Sequence, residues 1–124
     1  MMKLVWLGAA GVAGTLARYG LSGWVQRISG VGFPWGTFAV NLLGCFVFGL
    51  IWALAEYRLA LSSEVRTVLL LGFLGAFTTF SSFAFETTQL LRDSQYVLAF
   101  LNIAGQNILG IAGLFAGLTL GRMV

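Results

Sequence analysis

Three stretches of this chain run for the width of a bilayer without a single charge: residues 35–55, 67–85 and 94–121. A fourth, 4–25, is interrupted only by Arg18. A helix needs ~20 apolar residues to cross the hydrocarbon core, and in lipid each backbone polar group must be satisfied within the protein. The chain is therefore read as an all-α membrane protein, one domain over 1–124, with transmembrane helices near 4–25, 35–55, 67–90 and 94–121. Composition agrees, since only 9% of its residues are charged against about 25% in ordinary globular domains. The first run carries Lys3 and a Thr-Leu-Ala triplet before Arg18, as a cleaved leader does. Apolar character resumes beyond Arg18, so it is read as a span. Pro34 stands just before the second span, where its missing N–H costs little.

The same composition removes several functions. With no histidine and one cysteine, Cys45, in an apolar stretch, there is no histidine switch, no histidine metal site and no intrachain disulfide. Carboxylates are not clustered, so no enzyme is expected. A net charge of +3 spread over the loops is no nucleic-acid stripe.

Charge settles orientation only weakly. Alternating helices place Lys3, Arg58, Arg66 and Arg122 on one side, and Arg27, Arg92 and a snorkelling Arg18 on the other. A weak N-in bias and a dual topology, with copies inserted both ways, both stand. Glycines at 113, 117 and 121, and at 11 and 14, suit close helix contact within one subunit or between subunits.

Ionisable and amide groups inside a membrane are costly and mark function or structure. Arg18 either snorkels to headgroups or forms a positive mouth for anions. Glu86, closing the third span, is read first as structural, by pairing or by holding a helix end. Asn41 lies mid-span with Thr37 one turn earlier, and Asn102 and Gln106 repeat that spacing in the fourth span beside Asn107. An amide in hydrocarbon must find partners. Two such faces make either a polar seam or a pathway.

The third span is the oddest. In "GFLGAFTTFSSFAFET", 72–87, Thr78, Thr79, Ser81 and Ser82 interleave with Phe73, Phe77, Phe80 and Phe83, whose spacing places the rings on roughly one face of a continuous helix. Glycines beside threonines permit an interrupted helix, which survives at membrane depth only where it lines a cavity or binds an ion. Freed carbonyls suit a small hard cation such as sodium. Ring edges are positive and suit an anion.

Three segments, "GVAGTLARY" (11–19), "GTFAVNLLGCFVFG" (36–49) and "GFLGAFTTFSSFAFE" (72–86), together resemble the Fluc (CrcB) family of fluoride channels over nearly the whole chain. The resemblance implies an antiparallel, dual-topology dimer of four-helix subunits in the cell membrane, bacterial inner membrane included, with two fluoride pores. It implies that Phe80 and Phe83 meet fluoride by their edges, with Asn41 as pore amide and Thr37 in the polar lining. Ser81, Ser82, Gln106 and Asn102 extend that lining, and Arg18 stands at the vestibule. A structural sodium ion at the dimer axis would be held by the carbonyls of Gly75 and Thr78 from both subunits. The fourth span departs from the family's hydroxyl track, following Asn102 and Gln106 with Gly110 and Leu114. Homodimer and heterodimer with a homologous subunit therefore both remain, as does a non-conducting assembly subunit. A small proton-coupled multidrug exporter is the alternative from another class; it needs a mid-membrane acid, and the one acid near a span is Glu86 at an edge.

Overall fold

The computed structural model describes residues 1–58 and 61–124, and its described residues contain four helical passages long and apolar enough to span a membrane. Helix α1 covers Met2–Ser29 and α2 covers Trp35–Tyr57. The third passage is composite: α3 (Ser63–Thr67), a π-helix (Val68–Leu74), α4 (Gly75–Phe77), an extended break, then α5 (Phe80–Arg92). Helix α6 covers Tyr96–Met123. The interrupted third span foreseen from its glycines and threonines is present, and the π-helix before it was not foreseen.

Local chemistry explains the boundaries. Gly30, at φ 91°, ends α1 with a left-handed turn that costs glycine little. Gln26 ties this turn to the next helix: its amide nitrogen donates to the carbonyls of Gly30 and Phe33, and its oxygen accepts from Gly36 N at 3.0 Å. Ser62 caps α3 through Val65 N, with Glu64 in the first turn, and both suit the positive end of a helix. Arg92 and Arg122 stand in the last turns of α5 and α6, where cations complement the dipole.

Lipid tails are as apolar as leucine, so helix association rests on close van der Waals contact. Helices α2 and α6 form the most extensive pair, and glycines bring their backbones together. A Cβ on Gly117 would collide with Phe46 O and Leu50 N, and one on Gly49 with Leu114 O. The glycine row of the fourth span thus serves packing inside the subunit. On the other side of the bundle, Gly14 of α1 lies against Phe73 O. Val40, Leu70, Leu74 and Phe77 form the buried centre.

The break changes the third passage's neighbour. Before it, the π-helix and α4 lie on α1; after it, α5 lies on α6. This separates the phenylalanines expected on one face. Phe77 is buried and stacks on Phe73 with centroids 6.0 Å apart, whereas Phe80, beyond the break, is 78% exposed.

Candidate functional site

The site is built around two extended residues. Thr78 (φ −88°, ψ 159°) and Thr79 (φ −149°, ψ 112°) leave the helix and strand their backbone groups at membrane depth. Asn41, from α2, grips Thr79: its Oδ1 accepts from Thr79 N at 2.8 Å and its Nδ2 donates to Thr79 O at 3.0 Å. The threonine and serine run supplies the remaining caps. Thr78 Oγ1 donates to Leu74 O at 3.1 Å, Ser82 N donates to Thr79 Oγ1 at 3.2 Å, and Thr79 Oγ1 donates to Ser82 Oγ at 3.0 Å. Hydroxyls at membrane depth are there first because a broken helix needs short-range partners.

The carbonyls of the last turn before the break lose their helical partners, those of Gly75 and Thr78 among them. Thr79 N–H, which would close a turn onto Gly75 O, goes to Asn41. Ser82 N–H, which would close onto Thr78 O, goes to the Thr79 hydroxyl. Thr78 O accepts a long contact from Arg18 Nη1, 3.4 Å. Gly75 and Thr78 both border a surface depression walled by Leu70, Leu71 and Leu74.

Around Thr79 the expected residues sort into two clefts. One, about 230 Å³, is lined by Asn41, Thr78, Thr79, Phe80, Phe83 and Gln106, with Cys45 and Asn107 completing its wall. The Phe80 and Phe83 rings lie 5.5 Å apart at 51°. The other, about 300 Å³, is lined by Arg18, Thr37, Thr79, Ser82 and Glu86, among others. There Thr37 Oγ1 donates to Glu86 Oε1 at 2.7 Å, while Glu86 Oε2 is buried without a hydrogen-bond partner among the described residues. Glu86 is held by a threonine, not by an arginine. Ser81 lies exposed at the start of α5, its Oγ 3.3 Å from Thr79 Oγ1.

The amides of α6 meet Asn41 across the bundle. Asn41 Nδ2 donates to Gln106 Oε1 at 2.7 Å, Gln106 Nε2 to Asn102 Oδ1 at 2.9 Å, and Asn102 Nδ2 to Thr87 Oγ1 at 2.9 Å. Asn102, expected along the pathway, is instead 0% exposed and absent from the cavity wall. An α-helix carries i and i+4 on one face, but where α6 packs on α2 and α5 that face borders the cavity at Gln106 and is buried at Asn102. Thr79 and Thr87 were missed as site residues. Thr79 meets Asn41 through its backbone, a contact that no residue pattern reports, while its hydroxyl caps α5, and Thr87 takes its partner from another helix.

A model of the family described as CrcB-like protein, Camphor Resistance (CrcB), matches residues 5–118. The chain belongs to the CrcB family. Members similar to it include a protein named fluoride-specific ion channel FluC from Nitrosococcus oceani, 56% identical over 122 residues and covering 98% of both chains. One of the same name from Solidesulfovibrio magneticus is 56% identical over 122 residues, again with 98% of both chains covered. A third, from Nitratidesulfovibrio vulgaris strain Miyazaki F, is 52% identical over 124 residues, the whole of each chain. For this CrcB chain the match embraces all four membrane passages, the break and both clefts.

Proposed function

We propose that this chain forms a passive, fluoride-selective channel in the cell membrane (the inner membrane of a bacterium), exporting fluoride from the cytoplasm. The observation that carries the reading is the cleft at the helix break, where amides, hydroxyls and phenylalanine edges converge and no carboxylate, amine or imidazole is among the described lining residues. Relatives 56% identical over 98% of the chain are named for the same ion. Fluoride is small and strongly hydrated, so a pathway must offer donors in place of water. Phe80 and Phe83 offer ring edges, Gln106 offers an amide, the exposed Ser81 offers a hydroxyl beside them, and Ser82 offers one in the neighbouring cleft. Thr37 lines the neighbouring cleft, where Arg18 supplies the positive potential that draws anions from solution. Asn41 spends both amide hydrogens on Thr79 O and Gln106 Oε1, and so shapes the pathway by holding the break. No group here needs to titrate. A 100 mV inside-negative potential supplies about 2.3 kcal/mol per charge, enough to drive an anion outward.

A single subunit leaves the pathway half walled. Phe80 is 78% and Leu71 65% exposed, beside the break and its free carbonyls. A second copy placed antiparallel closes this wall, consistent with the weak charge asymmetry of the loops. The Gly75 and Thr78 carbonyls fit a hard cation, which prefers oxygen ligands; Thr78 O has a second lone pair beyond its contact with Arg18. A sodium ion held by these carbonyls from both copies would supply fixed positive charge and tie the two breaks together. Gly110 and Leu114, standing in place of the hydroxyl track, favour a second reading in which the partner is a homologous, non-identical subunit.

The test is release of fluoride from potassium-loaded vesicles containing the purified chain, with valinomycin added and no pH gradient. Release driven by potential alone supports the channel. Release that requires a proton gradient restores the carrier reading, and silence from folded protein that is cured by a second homologue selects the partner-dependent form.

A further inference from the structure

The amide contacts around Asn41 continue into a relay with one direction. Asn41 donates to Gln106, Gln106 to Asn102, Asn102 to Thr87, and Thr87 Oγ1 to Phe83 O at 2.7 Å. Its polarity is fixed at both ends by the backbone. Thr79 N–H can only donate, so Asn41 must turn its oxygen toward it. Phe83 C=O can only accept, so the Thr87 hydroxyl must point its hydrogen there and receive Asn102 Nδ2 on a lone pair. Between these ends each amide has one permitted orientation. Reversing Gln106 would set its NH₂ against that of Asn41.

We propose that Asn102, with Thr87, is a positioning residue of the pathway rather than a ligand of the ion: the pair locks the Gln106 amide so that its oxygen faces Asn41 and its remaining hydrogen stays free in the cleft. Asn102 is 0% exposed and Thr87 7% exposed, so neither meets an ion directly. Gln106 lines the cleft, and the second hydrogen on its Nε2 has no hydrogen-bond partner among the described residues. The relay ends on the carbonyl of Phe83, whose ring lines the same cleft. One network therefore sets both the amide donor and the helix that carries the phenylalanine pair. Buried amide networks specify orientation when every member is satisfied and lose it when one is cut.

This inference rests on the channel reading above, and its test separates the two. Wild type, Thr87→Val, Thr87→Ser, Asn102→Leu and Thr88→Val would be reconstituted alike and compared for fluoride release. Thr88 is the control, because its hydroxyl makes the same bond one residue along, to Ala84 O at 2.9 Å, on the exposed face of α5. Thr87→Val and Asn102→Leu are expected to release fluoride about five- to tenfold more slowly, as loss of an orienting hydrogen bond implies. Thr87→Ser, which keeps the hydroxyl, and Thr88→Val are expected to match wild type. In ¹⁵N-labelled protein the side-chain amide signals of Gln106 and Asn41 should move in Thr87→Val and stay in place in Thr88→Val. Wild-type rates in both Thr87→Val and Asn102→Leu overturn the positioning role, as does equal slowing in Thr88→Val. A wild type that stays silent even when a homologous subunit is added overturns the channel reading and the positioning role with it, while the amide signals still report whether the relay exists. Should Asn102→Leu fail to fold, the Thr87 pair decides.

Discussion

Replacing Asn41 by leucine keeps the branched shape and removes the two hydrogen bonds by which this side chain grips Thr79, leaving the threonine and serine caps in place. Three contacts disappear: Thr79 N to Oδ1 at 2.8 Å, Nδ2 to Thr79 O at 3.0 Å and Nδ2 to Gln106 Oε1 at 2.7 Å. Gln106 borders a cleft where its oxygen can be solvated, but Thr79 is only 7% exposed, and its N–H and C=O are stranded. Each buried, unpartnered backbone group costs about 1–3 kcal/mol, so the pair costs about 2–6 kcal/mol. The leucine recovers little of this, because moving apolar surface from lipid to protein brings no hydrophobic gain. Asn107→Leu is the reference: that amide is exposed and bonds only within its own helix, to Ile103 O. Thermal unfolding in detergent, followed by the surviving size-exclusion peak, should show Asn41→Leu melting on the order of 10 °C below wild type, with Asn107→Leu close to wild type. Vesicles made from Asn41→Leu at low temperature should release fluoride far more slowly. If Asn41→Leu melts with Asn107→Leu and conducts normally, Asn41 does not hold the break, and the reasoning about the site fails with it.

Three other perturbations test separate parts of the account. Gly117→Ala places a Cβ on the α2 backbone at Phe46 and Leu50 and should lower stability by about 1–3 kcal/mol. Gly8→Ala, which meets open space, should be neutral or raise stability by up to about 1 kcal/mol; both are read by the same melting assay. Phe80→Ile and Phe83→Ile should each suppress fluoride release while the protein elutes as wild type, since Phe80 contributes an exposed ring rather than core packing; full release from both would refute the ring-edge role. Thr37→Val removes the hydroxyl held at 2.7 Å to Glu86, with an expected loss of about 1 kcal/mol and slower fluoride release, and Thr37→Ser should restore both.

The parts of this molecule that were readable beforehand are those set by one-dimensional constraints. Bilayer thickness makes apolar length decisive, so four passages could be placed from runs of uncharged residues alone. The break in the third was legible because glycine and threonine side by side at membrane depth have few other uses. What depends on the relation between helices was not legible. A continuous helix would have kept Phe77 and Phe80 near one another; the extended Thr78 and Thr79 send one into the core and the other to the surface. Asn102 and Gln106 share a face of α6, yet only the packing of neighbouring helices decides which amide meets the cleft. The row from Gly113 to Gly121 suited contact within or between subunits equally well until α2 was found against it. Widening of the helix over Val68–Leu74 has no marker in a run of leucines.

The central claim is that a cleft of amides, hydroxyls and ring edges passes fluoride and little else. The most direct measurement is paired efflux from one preparation of the wild-type chain: fluoride release, by ion-selective electrode, from potassium fluoride vesicles, and chloride release from matched potassium chloride vesicles, each triggered by valinomycin. The account predicts rapid fluoride release with chloride near the background of protein-free vesicles. Equal release of the two anions, or fluoride release no faster than from empty vesicles, would contradict it.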